Sequence, residues 1–307
     1  MLKLIILITI IITINAKEPI SPIPLGIDYD EEKALLGKRL FFDVILSKDK
    51  SVSCLSCHNV YDGGADSRDV SLGFENREGN IQSPTVLNAR YNFAQFWNGR
   101  AENLKEQADG PLNNPNEHNM NPTLVEKRVN NSILYKKDFK KVFHINYIKY
   151  EYILDAIVEF EKALTTPNSR FDRYLRSEIK LNKDEKKGYK LFKDYGCITC
   201  HNGVNVGGNS FQKIGTFIAY NTNAQYPDRS QVTHNEMDKN VFKVPTLRNI
   251  TKTAPYFHDA SAKDLKTALH VMAEHNLGII MKDEDIEHII KFLESLNGEL
   301  PTILDED

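Results

Sequence analysis

Four cysteines carry the clearest chemistry in this chain, because of how they are spaced. They fall in two pairs, each followed at once by a histidine: Cys54-Leu-Ser-Cys57-His58 and Cys197-Ile-Thr-Cys200-His201. This is the attachment signature of c-type haem. Each thiol adds to one haem vinyl group, and the adjacent histidine then lies beneath the iron as its proximal ligand. Two other uses of a Cys-x-x-Cys pair compete with this one. A zinc ribbon would bring its pairs much closer in sequence, and a thioredoxin-like redox pair would sit within a βαβ pattern. All four cysteines are spent on the motif and both pairs carry the histidine, so the reading is two covalently bound haem c groups.

The rest of the chain must hold those two groups in place. Its 307 residues suffice for two domains, and 41% apolar with 26% charged residues describes an ordinary globular chain. With 39 basic against 42 acidic residues and a net charge of −3, no nucleic-acid partner is expected. Near the start, Lys3 precedes an apolar run from Leu4 to Ile14, with Ala16 at a small-residue cleavage position. The run falls short of the roughly 20 residues of a membrane span. Residues 1–16 therefore read as a cleaved secretory signal rather than a retained anchor. The mature protein is expected in a bacterial periplasm, with no stable membrane insertion. Cysteines in that oxidising compartment normally pair as disulfides, so two Cys-x-x-Cys pairs there need another use.

Aligning the two haem motifs exposes an internal duplication. Gly37-Lys-Arg-Leu40-Phe41 precedes the first as Gly188-Tyr-Lys-Leu191-Phe192 precedes the second. Downstream, Pro84-Thr85-Val-Leu-Asn88 recurs as Pro245-Thr246-Leu-Arg-Asn249, and Ala94-Gln-Phe96-Trp97 is matched to Ala254-Pro-Tyr256-Phe257. The fold class that follows is mainly α, with two cytochrome c-like haem domains of common design and long loops. The domains are placed at 17–165 and 166–307, with a hinge at Thr165-Thr166-Pro167-Asn168-Ser169.

Apolar periodicity supports the helices. Ile153, Ala156, Ile157, Phe160, Ala163 and Leu164 form one stripe; Ile286, Ile289, Ile290, Leu293 and Leu296 form another that ends before Gly298 and Pro301. Ser261 with Asp264 resembles a capping box opening the helix that carries Met272. Asp62 to Pro84 and Gly110 to Pro122 are Gly/Asn/Pro-rich and read as loops over haem. Strand signals are sparse.

These residues together resemble the bacterial di-haem cytochrome c peroxidases and the related MauG group, over essentially the whole mature chain. The matching stretches are Ser83-Pro-Thr-Val-Leu-Asn88, Gln95-Phe-Trp-Asn-Gly-Arg100, Lys105-Glu-Gln-Ala-Asp-Gly-Pro111, Phe171-Asp-Arg-Tyr174, Val244-Pro-Thr-Leu-Arg-Asn249 and Thr253-Ala-Pro-Tyr-Phe-His-Asp259. The resemblance implies that hydrogen peroxide is reduced at the N-terminal haem, above His58, and that electrons enter at the C-terminal haem, above His201. It puts Glu117 at the acid/base position and Gln107, ten residues earlier, at the amide that binds peroxide. Without the resemblance, a Glu in an Asn-rich loop is usually just solvated. It places Trp97, the single tryptophan, between the haems as an electron bridge, where composition alone would read a core aromatic. Met272 becomes the sixth ligand of the second haem, with His270, His275 and Met281 as rivals.

Two departures from the family pattern stand out. Many relatives carry a histidine sixteen residues beyond the first motif that caps the peroxidatic iron; here that position is Phe74, which has no donor atom. The first haem is therefore expected to have an open or water-occupied sixth site, unless another loop residue such as His118 supplies a ligand. The interdomain calcium of the family would draw on Thr253 and Pro255, but Gln82 stands where asparagine is expected. The implied donor is a small c-type cytochrome or a cupredoxin, and a homodimer is expected from the family's habit. MauG-like oxidation of a protein substrate and plain di-haem electron carriage are the alternatives. Met272 argues against the first, since MauG proteins that modify a partner use tyrosine there. His258 fits the family pattern without an assigned role.

Overall fold

The computed structural model describes residues 18–221 and 226–305. The expected signal segment, 1–16, lies outside them. The architecture is mainly helical: α1 (Glu31–Phe42), α2 (Leu104–Asn113), α3 (Pro122–Asn130), α4 (Ile133–Phe143) and α5 (Tyr150–Ala163), then α6 (Arg170–Leu175), α7 (Lys183–Asp194), α8 (Ser230–Thr233), α9 (Leu265–Val271) and α10 (Asp283–Glu294). The one sheet among the described residues is a short antiparallel pair, β1 (Phe211–Lys213) with β2 (Val241–Lys243). Among the described residues, no helix is long and apolar enough to cross a membrane.

The duplication is visible in how each half crosses its first and last helices. α1 packs on α5 and α7 on α10, and each crossing is closed by a glycine. A Cβ at Gly37 would lie 1.9 Å from the Ala156 carbonyl oxygen, and one at Gly188 would lie 1.8 Å from that of His288. Phe41 then meets Phe160 edge-on with centroids 5.2 Å apart, and Phe192 meets Phe292 at 5.1 Å. Both expected apolar stripes face inward here. Ile153, Ala156, Ile157, Phe160, Ala163 and Leu164 are buried in one cluster, and Ile286, Ile289, Leu293 and Leu296 in the other.

The first and last described segments cross between the two clusters. Ile20 is buried in the second, next to Phe171, while Ile303 and Leu304 are buried in the first. Lys38 Nζ donates to the carbonyls of both Ile303 and Leu304. Near the other end, the Ser21 carbonyl accepts from Arg248, which is fully buried against Asp172 at 2.9 Å. Asp172 is itself satisfied by the amides of Ile23 and Ser169, so neither buried charge is left unpaired.

Several local expectations change. The segment read as a hinge is buried at Thr165, Thr166 and Ser169. Thr166 Oγ1 accepts from Asn88 Nδ2 at 2.8 Å and from Asn249 Nδ2 at 2.9 Å, so the repeated asparagines both grip the connector. The stretch from Gly110 begins as helix, because Pro111 lies inside α2 and the true loop is 114–121. Pro122 opens α3 behind the N-cap Asn121, where a missing N–H costs nothing. Helix α9 is capped by Asp264 alone, whose side chain accepts from the Thr267 amide. Ser261 instead pairs its hydroxyl with that of Tyr220. Met272 follows α9 as the first residue of a π-helical turn, Met272–Leu277, a distortion that recurs at functional sites.

Candidate functional site

Each Cys-x-x-Cys-His motif forms a short 3₁₀ turn, Cys54–Ser56 and Cys197–Thr199. All four thiols are unpaired. Cys54 packs against the first apolar cluster and Cys197 against the second, so the pairs are held apart rather than gathered as a zinc ribbon requires. Removal from water raises the pKa of every one of them, that of Cys197 to about 11. Neutral, partly buried thiols at the edge of an apolar core suit thioether attachment and not thiolate redox chemistry.

The two histidines sit against similar carbonyls, though only His58 makes a hydrogen bond to one. His58 Nδ1 sits 3.3 Å from the Gly64 carbonyl, which leaves Nε2 free to serve as an iron ligand. That carbonyl is fixed by the Val86 amide, while Thr85 Oγ1 donates to Gly63 and accepts from Leu87. In the second repeat Thr246 Oγ1 donates to Asn205 and accepts from Arg248, and the Leu247 amide donates to Val206. His201 Nδ1 is buried and faces the carbonyls of Val206 and Pro245. Loss of water pushes the His201 pKa down to about 4 and that of His58 in the same direction, so both are neutral, as ligation demands. Both motifs thus fit covalent haem with a histidine beneath it.

Glu117 lies at the first of these motifs, where its charge acts on the thiols of both Cys54 and Cys57. Its carboxylate accepts from Asn114 Nδ2 at 2.5 Å. Burial raises its pKa, against the opposing pull of that hydrogen bond and of the Arg100 charge. Arg100 in turn is seated on the Phe96 ring, 3.3 Å from its centroid. Gln107 is half-buried on α2, and its side-chain amide has no hydrogen-bond partner among the described residues.

Phe74 is buried, and its amide donates to the Glu117 carbonyl at 2.7 Å. Gly73 makes the contact close enough that a Cβ there would lie 2.1 Å from the Asn116 carbonyl oxygen. The Phe74 ring is flanked by Lys48 and Arg77 at 5.5 and 5.0 Å. The loop at 71–77 is therefore docked on the loop that carries Glu117. His118 is buried, with Nδ1 3.0 Å from the Leu46 carbonyl.

Trp97 donates from Nε1 to the Gln82 carbonyl at 2.8 Å and meets Phe242 and His258 edge-on, at 6.4 and 6.2 Å. The expected match of Trp97 with Phe257 shifts by one residue. The bridge Gln95–Ala101 recurs as Tyr256–Ala262, and the left-handed Phe96 (φ 65°) recurs as Phe257 (φ 70°). The repeat partner of Trp97 is therefore His258. The sequence assigns no role to His258 and does not single out Arg100 or Asn114; the repeat register is a signal for the first and the Gln95–Arg100 motif for the second.

Met272 is half-buried, and among the described residues nothing engages its thioether. Its rivals are committed elsewhere: His270 to Asp283 at 3.1 Å, His275 to the Ile218 carbonyl at 3.0 Å, and Met281 to the apolar core. Leu265, Leu269 and Ala273, on either side of Met272, pack with the cluster that holds Cys197. At the candidate calcium position, Gln82 Nε2 reaches toward the Asp66 carbonyl at 3.4 Å, and Thr253 Oγ1 donates to Ile250. The carbonyls of Thr253 and Pro255 accept no hydrogen bond among the described residues.

The di-haem cytochrome c peroxidase profile matches residues 31–180, and the cytochrome c profile matches 185–297. The chain is 46% identical over 287 residues to cytochrome c551 peroxidase of Nitrosomonas europaea, covering 93% of this chain and 86% of that one. It is 41% identical over 289 residues to the cytochrome c peroxidase Ccp of Escherichia coli, covering 92% of this chain and 62% of the relative. Among solved structures, a MauG-like protein associated with microbial copper homeostasis superposes with a TM-score of 0.81 at 25% identity, covering 92% of this chain and 93% of that one. With its paired haem motifs in two like-built halves, the chain belongs to the di-haem cytochrome c peroxidase family.

Proposed function

We propose that this protein reduces hydrogen peroxide to two waters at its first haem, taking two electrons through its second and two protons from solvent. The observation that carries this is Glu117, a carboxyl of raised pKa at the Cys54–Cys57 motif, next to Arg100 and held by Asn114. When bound, haem would supply the redox chemistry. The chain supplies the rest. Gln107 orients peroxide through its unspent amide. Glu117 takes the proton from the inner oxygen and returns it to the outer one, so that water rather than hydroxide departs. Trp97, between Gln82 and His258, bridges the two halves for electrons. Met272 would hold the iron of the second haem, and a thioether ligand would raise its reduction potential, as an electron-entry site needs.

Phe74, docked against Lys48 and Arg77, supports a first iron that no loop histidine caps at that position. A small c-type cytochrome or cupredoxin in the periplasm is the proposed donor. Calcium is proposed at Gln82, Thr253 and Pro255, on the strength of two unspent carbonyls.

Steady-state turnover of hydrogen peroxide with reduced cytochrome c or cupredoxin tests the reading. Turnover from the fully oxidised enzyme, with a high-spin first haem, is the expected result. Negligible turnover with two six-coordinate haems would make the protein an electron carrier instead. A long-lived high-valent state that these donors fail to discharge would point to MauG-like oxidation of a protein.

A further inference from the structure

Lys243 is 93% buried by its 7% residual exposure, yet it takes part in no ion pair or side-chain hydrogen bond among the described residues. It ends β2, and its amide donates to the Trp97 carbonyl at 2.7 Å. The register that pairs Trp97 with His258 pairs Gln82 with Lys243, and the contact is reciprocal: the Gln82 amide donates to the His258 carbonyl at 2.9 Å. The same place in the fold is thus neutral in the first repeat and cationic in the second. Two residues beyond Lys243, the Pro245 carbonyl faces His201, so Lys243 lies on the segment that packs against that histidine.

A buried ammonium without an anion bears a desolvation cost that a partner would offset. Removal from water alone pushes its pKa down to about 8. No carboxylate of the described residues offsets that cost. Haem, when bound, would bring anions of its own, the two propionates.

We propose that Lys243 is the counter-ion of a propionate of the second haem, and that its charge raises that haem's reduction potential. A cation beside the macrocycle favours the reduced form, which carries one positive charge fewer. Lys243 acts as a positioning and tuning residue and touches no peroxide. The proposal rests on the two haems of the family and is independent of peroxide turnover.

The test is a spectroelectrochemical titration of the holoenzyme against Lys243→Gln, the residue the first repeat uses, and Lys243→Met, which keeps the aliphatic stem. Both should hold two haems and lower the second midpoint, cutting the reduced-to-oxidised ratio at the wild-type midpoint about tenfold, or about 59 mV for one electron. Lys243→Arg should keep the midpoint, and resonance Raman should show the propionate bending mode shift in the neutral variants alone. An unchanged second midpoint in both neutral variants overturns the proposal, as does a fall confined to the first haem. Peroxide turnover is not read, so a failure of the peroxidase reading leaves this outcome distinct.

Discussion

Trp97 and His258 hold equivalent places in the two repeats, and their rings meet edge to face across the junction with centroids 6.2 Å apart. The backbone around them is nearly two-fold: Gln82 donates to His258, and Lys243 donates to Trp97. The side chains break that symmetry. The indole is anchored through Nε1 to Gln82, while the imidazole stacks on Phe242 at 4.1 Å. A symmetric frame therefore presents one oxidisable ring and one polar ring at its centre.

Replacing that ring should separate electron transfer from haem attachment. Trp97→Phe keeps an aromatic filler but raises the cost of oxidising it and drops the hydrogen bond to Gln82. Stopped-flow reduction of the first haem through the second should slow, with both haem spectra unchanged. Wild-type transfer rates would remove Trp97 from the route.

The haem motifs and both apolar stripes were legible because each is a short-range pattern of residue types. The register of the repeat was not. Ala94 with Ala254, and Phe96 with Tyr256, make a plausible match one residue away from the real one, and only the left-handed backbone at Phe96 and Phe257 decides. Pro111 reads as a loop residue, yet it continues α2 for two further residues. The crossing of the first and last described segments rests on Ile20 in one cluster and on Ile303 and Leu304 in the other, stretches too short to show a period. Thr166 is equally silent in sequence, since its role depends on two asparagines that are 78 and 83 residues away.

Glu117→Gln keeps the shape of the side chain and its contact with Asn114 but cannot carry a proton. Peroxide reduction should fall by about 10² to 10⁴, the usual worth of general acid–base catalysis. The midpoints of both haems should stay near wild type. Rapid mixing with peroxide, read at the first haem, checks this; undiminished reduction would move the proton-handling role to another group.

Met272→Ala should abolish the methionine-to-iron charge-transfer band of the oxidised protein and lower the second haem's midpoint, since loss of a thioether ligand favours the ferric form. A surviving band would return the ligand role to Met281, the buried rival.

Gly188→Ala should destabilise the second half, because the new methyl would sit 1.8 Å from the His288 carbonyl oxygen on α10. Forcing two packed helices apart costs about 1–3 kcal/mol or more. Denaturant unfolding, followed at each haem, should show the second half lost first. Gly37→Ala should reverse that order, since its methyl meets Ala156 on α5.

Glu161 gives the chain a pH dependence of its own. It is buried on α5 with Oε2 unpartnered, and its charge acts on the Cys54 thiol. The glycine crossings pair Ala156 with His288 and Phe160 with Phe292, which places Leu293 at the equivalent position in the second repeat. Loss of water raises the Glu161 pKa from 4.5 to about 8. The folded chain therefore holds this proton more tightly than the unfolded chain does. Stability should fall as pH rises from the ordinary carboxyl value through about 8, and the full cost is present above that. Glu161→Leu, a residue the fold already accommodates in its other half, removes the cost. Its advantage over wild type in urea unfolding should be small at pH 5 and grow to a few kcal/mol by pH 9. An advantage that does not change with pH would mean that the carboxyl is not held protonated, and that Glu161 has an anionic or hydrated state in the folded protein.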